Sequence, residues 1–362
     1  MKTVNRPILP RQGKFVLAVL AFAGLLAFTA TKALAAPSAS APEKSLQIYF
    51  IDVEGGQSTL FVTPEGESLL IDTGWPLNEG RDASRIVAAA HDAGISRIDF
   101  VLITHFHADH VGGVPQLAAK IPIGTFIDHG ESRETSNKVT EQIWLAYKAL
   151  LDSGKFRHIV AKPGMVLPIK GLHGEILSAD GSVIDTPLLG AGQPNPACAS
   201  PAPPDDASEN PRSVGTLFTF GKLRILDLGD LTADKERLLV CPINRIGTVD
   251  VYIASHHGLA QSNSAPLLNA IQPRVAIVDN GENKGGSPAA LDIIRNSPNK
   301  PDMWQLHFAA QSGVEHNTSA PFIANLTGPD AGNYLKLTAQ PDGSFAVYNS
   351  RTRQTVNYKP AR

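Results

Sequence analysis

The sequence predicts a layered α/β domain in which two β-sheets pack against each other. Short apolar runs typical of strands alternate with segments of helical composition or spacing, and the order of strands, helix, strands and helix occurs in both halves of the chain. Polar clusters follow the ends of several predicted strands, where a rigid scaffold commonly holds site residues. The chain shows no short-period repeat.

The predicted elements fill most of the chain after residue 45. Apolar or aromatic residues recur at helical spacing in 136–153, which predicts a helix there. An earlier helix, 81–93, has helical composition and ends at Gly94. The predicted strands are 46–53, 58–63, 68–74, 98–103, 123–127, 157–161, 175–178, 214–220, 223–228, 249–254, 274–278, 334–339 and 344–348. The predicted helices are 81–93, 114–119, 136–153, 231–239, 264–271 and 287–296.

The first 35 residues have the pattern of a secretory signal peptide. A basic start precedes an apolar run of 16 residues, 15–30, and Ala33-Leu34-Ala35 offers small residues for cleavage. The run is short for a membrane span, so an uncleaved anchor is the less favoured alternative. We therefore predict Sec export to the periplasm or beyond, a flexible lead over 36–44, and a single domain over 45–362.

Export would change the charge of the protein. Residues 1–35 carry five of the 32 Lys and Arg residues and no Asp or Glu, so their removal takes the formal net charge from −2 to −7. A surface with that balance does not attract polyanions. We expect a small-molecule substrate rather than nucleic acid, and no stable membrane association after cleavage. The oligomeric state cannot be read from the sequence.

The chain has two cysteines, Cys198 and Cys241, 43 positions apart. A disulfide between them fits an oxidising compartment. The alternative is two unrelated residues, with Cys241 simply buried.

The main chemical motif is the run from Thr104 to Gly113, which follows the predicted strand 98–103. It contains His105, His107, Asp109 and His110, all residue types that bind zinc and similar divalent ions. Since His105 and His107 alternate on an extended segment, they point the same way. The cluster therefore supplies two pairs of ligands, enough to begin two adjacent metal sites.

Two further strand ends carry candidate ligands. Asp230 follows the strand 223–228 and could bridge two metals, although it could also serve only as the N-cap of the helix 231–239. His256 and His257 follow the strand 249–254. Because adjacent histidines diverge, we expect one to bind metal and the other to donate a hydrogen bond or proton to the substrate.

The motif His105-x-His107-x-Asp109-His110 resembles the hallmark of the metallo-β-lactamase-fold hydrolases. Within that superfamily, the chain is similar to the hydrolase domain of the ComEC-type competence proteins and their free-standing relatives. The similarity rests on four stretches between residues 46 and about 280. They are Phe50-Ile51-Asp52-Val53 with its Gly-Gly turn, Leu70-Ile71-Asp72-Thr73-Gly74, Asn210-x-x-Ser213-Val214 leading to Gly229-Asp230, and Ser255-His256-His257-Gly258.

The resemblance implies an αββα four-layer sandwich, with two mixed sheets inside, helices outside, and a metal centre at one edge. It implies two divalent ions, for which we expect zinc, with manganese as the alternative. His105 and His107 would bind the first ion. Asp109, His110 and a histidine of the His-His-Gly motif would bind the second, with Asp230 bridging. We favour His256 over His257 because it comes first after the strand.

The chain departs from the family pattern at the first site. Many members supply a further histidine before the Asp230 hairpin, but here no histidine follows His173 in that stretch. We therefore predict that His129, Asn210 or water completes the first site. His129 ends the strand 123–127, and it lies near the metals if that strand pairs in parallel with 98–103.

These observations favour a metal-dependent hydrolase that uses a metal-bound hydroxide, since metals lower the pKa of bound water towards 7. A small phosphoester is the preferred substrate, because His-His-Gly resembles the phosphodiesterase-like branch of the family. A lactam, lactone or thioester is the alternative substrate, and a non-catalytic metal-containing binding module is the alternative function. The candidate catalytic residues are Asp109, His257 and His129, with either histidine as the proton donor.

Overall fold

The computed structural model describes residues 45–199 and 201–361. The predicted signal peptide and flexible lead lie outside the described residues. Within them, the chain forms two mixed sheets with helices on their outer faces, in agreement with the predicted four-layer sandwich.

The first sheet contains nine strands in the order β17-β16-β15-β1-β2-β3-β4-β5-β6. Its members from β3 to β6 are parallel to one another, whereas β17 to β3 form an antiparallel meander. The strands are β1 (Leu46–Phe50), β2 (Thr59–Val62), β3 (Ser68–Ile71), β4 (Ile98–Leu102), β5 (Ile123–Asp128), β6 (Arg157–Val160), β15 (Leu335–Ala339), β16 (Phe345–Asn349) and β17 (Gln354–Tyr358).

The second sheet contains eight strands in the order β14-β13-β12-β11-β10-β9-β7-β8. Its parallel part runs from β10 to β14. The strands are β7 (His173–Ala179), β8 (Ser182–Val183), β9 (Gly215–Phe220), β10 (Leu223–Asp227), β11 (Val251–Ile253), β12 (Val275–Val278), β13 (Asp302–His307) and β14 (Ile323–Asn325).

Eight α-helices are described, and they include all six that the sequence predicts. They are α1 (Arg81–Asp92), α2 (Ala108–Val111), α3 (Val114–Ala118), α4 (Lys138–Asp152), α5 (Ala233–Val240), α6 (Ala265–Ile271), α7 (Pro288–Arg295) and α8 (Gly313–His316). Across the described ranges, none of these helices is long and apolar enough to span a bilayer.

Alternation along the strands builds the layers. On β1, Ile48 and Phe50 point into the core between the two sheets, whereas Tyr49 packs under the helices of the first sheet. On β12, Ile277 faces the central core and Ala276 faces the helices of the second sheet. Because both faces of these strands are buried, their sequences are almost continuously apolar.

Four strands were not predicted: β8, β13, β14 and β17. In β13, the polar residues Gln305 and His307 are buried and hydrogen-bonded, so the segment lacks the apolar alternation that predicts a strand. The third C-terminal strand, β17, pairs with β16, where Tyr358 stacks on Phe345.

The loop between β8 and β9 carries Cys198, which forms a disulfide with Cys241 just after α5. Asn195 reinforces this connection, since its side chain donates hydrogen bonds to the carbonyls of Val240 and Pro266. The disulfide thus holds the long Pro-rich loop against the helices of the second sheet.

Candidate metal centre

The polar strand ends of both sheets meet at one place. In the first sheet, Asp72 follows β3 and the histidine motif follows β4. In the second sheet, Asp230 follows β10 and His257 follows β11. The nitrogens His110 Nε2 and His257 Nε2 lie 3.1 Å apart, so the two sheets supply facing side chains to one buried cluster.

Four residues form the tightest part of this cluster, and we call Asp109, His110, Asp230 and His257 the four-residue group. One ligand-type atom from each lies within 4.8 Å of all the others. Asp109 Oδ2 is 3.3 Å from His110 Nε2 and 3.1 Å from His257 Nε2. Asp230 Oδ2 is 3.3 Å from His110 Nε2. All four residues are buried.

His105 and His107, which we call the histidine pair, lie beside the four-residue group, and the ring centroids of His105 and His110 are 4.1 Å apart. His105 Nε2 is 3.0 Å from His107 Nδ1, so the two imidazoles converge as the alternation predicts. Asp230 Oδ2 is 3.7 Å from His105 Nε2. Asp230 therefore contacts both the histidine pair and the rest of the four-residue group.

A left-handed turn brings both His256 and His257 to Asp230. The two residues have φ of 54° each, a conformation that is costly outside glycine and typical of functional sites. His257 Nε2 is 3.5 Å from Asp230 Oδ1, and His256 Nε2 is 3.5 Å from Asp230 Oδ2. The argument that adjacent histidines diverge does not hold here, because it assumed ordinary backbone geometry.

Each of three histidines has a carboxylate at the ring nitrogen that faces away from the cluster. His110 Nδ1 is 2.7 Å from Asp72 Oδ2, His107 Nε2 is 2.9 Å from Glu134 Oε2, and His257 Nδ1 is 3.5 Å from Asp279 Oδ1. Hydrogen-bonded partners such as Asp72 and Glu134 fix the tautomer and the orientation of metal-binding imidazoles, whereas Asp279 lies near His257 without a hydrogen bond. His105 Nδ1 instead faces the hydroxyl of Thr104, at 3.1 Å.

This geometry agrees with the sequence comparisons. Residues 52–278 match the model of the metallo-beta-lactamase superfamily, which is more than half of the chain. The chain belongs to the metallo-β-lactamase superfamily. The match begins in the segment after β1 and ends with β12, so it includes every residue of the four-residue group and the histidine pair.

Curated relatives within this superfamily include competence proteins. The chain is 25% identical over 236 residues to recombination protein 2 of Haemophilus influenzae, covering 65% of this chain and 24% of the relative. It is 26% identical over 241 residues to competence protein ComA of Neisseria gonorrhoeae, covering 66% and 28%. The predicted resemblance is thus confirmed, and the chain spans about a quarter of the length of these relatives.

Another relative is an enzyme by name. The hydroxyacylglutathione hydrolase of Stenotrophomonas maltophilia is 31% identical over 105 residues, covering 29% of this chain and 37% of the relative. The chain is therefore similar both to competence proteins and to a hydrolase of its superfamily.

A divalent metal is plausible in a superfamily member with this His and Asp site, and the residues present fit such an ion. Ligand atoms around a tetrahedral zinc at about 2.0–2.1 Å lie roughly 3.3 Å from one another. The atoms of the four-residue group that lie close together are separated by 3.1–3.5 Å. Asp230 Oδ1 is buried with no hydrogen-bond partner among the described residues, although a carboxylate oxygen has several lone pairs to satisfy.

The charges of the four-residue group support the same fit. Burial opposes charge on His110, but Asp230, Asp109 and Asp72 raise its pKa well above the ordinary value. Burial and Lys284 oppose charge on His257, yet Asp230 and Asp279 raise its pKa to about 10. His110 and His257 therefore each hold an extra proton in the absence of metal. Together these two protons carry the same positive charge that one divalent ion would bring to the four side chains.

His129 does not join the cluster, although β5 pairs in parallel with β4, the condition under which we expected His129 to lie near the metals. Its Nε2 is 2.9 Å from Glu209 Oε2, and its ring packs on Phe106 with the ring centroids 4.3 Å apart. Asn210, which precedes β9, lies nearer the site. Its side-chain nitrogen is 3.4 Å from His256 Nε2.

Three contributing residues were not identified from the sequence: Glu134, Asp279 and Lys284. Glu134 comes from the loop between β5 and α4, and nothing in its sequence context marks it. Asp279 follows β12 directly, so the rule that strand ends carry site residues could have found it. Lys284 lies in a glycine-rich loop, and its Nζ contacts Asp109 Oδ2.

A second group with ligand-type atoms, Asp52, Glu54 and His307, lies in the same domain. The carboxylate of Asp52 already accepts hydrogen bonds from Arg85, from His307 and from the backbone of Glu54. Arg85 supplies a positive charge there, so this group does not need a metal ion to compensate it.

Proposed function

We propose that this protein is an exported metal-dependent hydrolase that acts on a small phosphoester. The observation that carries the proposal is the convergence of the four-residue group and the histidine pair on Asp230, with a carboxylate behind three of the histidines. Groups arranged in this way suit two adjacent divalent ions, for which we propose zinc, with manganese as the alternative.

The residues divide into two proposed ligand sets. The four-residue group would hold one ion, which makes His257 the ligand from the His-His-Gly motif. His105 and His107 would hold the other, with Asp230 and His256 on the same side. Bound metal ions supply Lewis acidity and lower the pKa of water. Asp230 contacts residues of both sets, while Asp72 and Glu134 orient His110 and His107 by hydrogen bonds.

The choice of a phosphoester rests on the Ser255-His256-His257-Gly258 turn, which resembles the phosphodiesterase-like branch of the superfamily. A thioester is the second candidate, because the chain is 31% identical over 105 residues to a protein named hydroxyacylglutathione hydrolase. Lactams and lactones belong in the same substrate panel.

Export is supported by two independent features. The N-terminal 35 residues have the pattern of a signal peptide, and Cys198 pairs with Cys241. Disulfides persist in oxidising compartments such as the periplasm. Fractionation of cells that express the full chain should place a shortened protein, cleaved near Ala35, in the periplasm or the medium.

The decisive experiment combines metal analysis with turnover. The purified protein should contain zinc or manganese, lose hydrolysis of a phosphoester on chelation, and regain it when the metal is returned. Asp109→Ala and Asp230→Ala should lose turnover, while Asp152→Asn, an exposed change at the end of α4, should keep it. A protein that binds no metal would refute the proposal. Equal turnover by wild type and both alanine variants would leave a binding module.

A further inference from the structure

Lys284 is placed to bind a negatively charged group at the candidate metal centre. Its ammonium contacts Asp109 Oδ2, and among residues 45–199 and 201–361 it is the one Lys or Arg in ion-pair contact with the four-residue group or the histidine pair. The Lys284 side chain is 32% exposed, whereas that of Asp109 is 9% exposed. The ammonium therefore lies between the buried ligands and solvent, where a substrate would arrive.

Trp75 holds the ammonium from a second side. The Nζ of Lys284 lies 4.9 Å from the centroid of the Trp75 ring, within the range of a cation–π contact. Trp75 is itself anchored, because its backbone N–H donates to Asp82 Oδ2 at 2.8 Å. A flexible lysine side chain is thereby restricted to the mouth of the centre.

The loop that carries Lys284 packs closely against the His-His-Gly turn and against Gly55. A Cβ on Gly285 would lie 2.3 Å from the carbonyl oxygen of His257, and one on Gly55 would lie 2.9 Å from Lys284 Cβ. Both glycines have positive φ, of 79° and 78°. In addition, the N–H of Gly286 donates to the carbonyl of His257 at 2.7 Å. The loop thus fixes Lys284 relative to the His-His-Gly turn.

Electrostatic repulsion determines what Lys284 can bind once a metal ion occupies the centre. Asp109 and Asp230, the two carboxylates of the four-residue group, carry two negative charges, which balance one divalent ion and leave the ammonium of Lys284 uncompensated. Two cations so close together repel each other unless further negative charge lies between them. A ligand with an anionic oxygen satisfies both cations at once, whereas a neutral ligand leaves the repulsion in place.

We propose that Lys284, backed by Trp75, forms an oxyanion subsite that binds a non-bridging oxygen of a phosphoryl group. This inference rests on the proposed hydrolase function and deepens it, because it assigns the substrate an anionic phosphoryl group next to the bond that breaks. It disfavours neutral lactones and thioesters that lack a nearby charge.

The test uses inorganic phosphate as the probe and binding as the readout. Titration calorimetry of the zinc-loaded, full mature protein should detect phosphate binding. Lys284→Met should weaken it by roughly 10- to 100-fold, the loss expected for one charge-assisted hydrogen bond, and Lys284→Arg should recover part of the affinity. Lys222→Met, an exposed change in the β9–β10 turn at the opposite end of β10, should bind phosphate as the wild type does.

Zinc content measured on the same samples separates the two proposals. Equal zinc in wild type and Lys284→Met, with weaker phosphate binding in the variant, supports the subsite. Equal phosphate affinity in the two proteins overturns it, as does a zinc-loaded wild type that binds no phosphate. A gain of zinc in Lys284→Met also overturns it, because the lysine would then be excluding an ion. Failure of the wild type and of every variant to bind either zinc or manganese would instead refute the proposed hydrolase function.

Discussion

The two halves of the candidate metal centre, the four-residue group and the histidine pair, differ in how their side chains are held. In the four-residue group, the side chains of His110 and His257 are at most 1% exposed, and their carboxylate partners, Asp72 and Asp279, directly follow strands. In the histidine pair, the side chain of His107 is 22% exposed. Its partner Glu134 comes from a loop.

The difference shows how one fold can place an anchored half, the four-residue group, beside a more adaptable half, the histidine pair. Strand ends are fixed by the sheet, so ligands placed there need little reorganisation when an ion binds. Loop partners carry more conformational freedom that binding must restrict. We therefore expect the four-residue group to bind its ion more tightly than the histidine pair does.

Removal of Asp230 should have the largest effect, because it is the residue that the two halves share. Asp230→Ala should lower the content of both ions and reduce hydrolysis by more than about 100-fold, the upper end of the loss typical of an outer partner. Metal content by atomic spectroscopy and kcat/KM on the phosphoester would measure both effects. Loss of only one ion would show that Asp230 does not bridge.

The two adjacent histidines provide a matched pair of variants that separates the halves. His257→Ala should remove the ion of the four-residue group, and His256→Ala should weaken the ion held beside the histidine pair. Zinc titration with a competing chelator should show loss of the tighter site in the first variant and of the weaker site in the second. The reverse assignment would restore the preference for His256 that the sequence suggested.

The sequence predicts the ligand-type residues of both halves, for a physical reason. His105, His107, Asp109 and His110 lie in one run after a strand, and the strand-end rule finds Asp230 and both histidines of the His-His-Gly motif. Local pattern therefore places the ligands. What it could not place is the left-handed turn at His256 and His257, because positive φ is uncommon for any residue other than glycine.

Long-range partners account for most of the remaining misses. Glu134 is 27 positions from His107, and Lys284 is 175 positions from Asp109, so their contacts depend on how the loops fold over the sheets. The same applies to β13, whose buried Gln305 is satisfied by Asn317 at 2.9 Å rather than by apolar packing. Hydropathy and spacing do not register contacts of this kind.

Glu134 provides a test of the weaker half alone. Glu134→Gln keeps the size of the side chain but removes the carboxylate that faces His107 Nε2. Metal affinity beside the histidine pair should fall about 10- to 100-fold, as is typical when an outer-shell carboxylate is lost, and the ion of the four-residue group should be unaffected. Equal loss at both sites would show that the two halves are not independent.

The smallest effect is expected at Glu209, which stabilises the loop that carries Glu134. Glu209 accepts hydrogen bonds from the backbone N–H of Arg133 at 2.7 Å and from Ser132 Oγ at 3.1 Å, and it pairs with His129. Burial opposes its charge, but these partners lower its pKa to about 2, from an ordinary value of 4.5. The ionised carboxylate therefore favours the folded state.

This stabilisation should depend on pH in a defined direction. A lowered folded-state pKa contributes stability that is complete above pH 4.5 and is lost as the pH falls towards 2, because the unfolded chain takes up the proton first. In urea unfolding of the metal-free protein at pH 6, Glu209→Gln should lower the free energy of unfolding by up to about 3 kcal/mol. At pH 3 the difference between wild type and variant should shrink to less than half of that value, since most of the contribution of Glu209 has by then been lost. A difference that is the same at both pH values would show that Glu209 acts through its shape rather than its charge, and the adaptable half of the centre would then have no charged anchor in this loop.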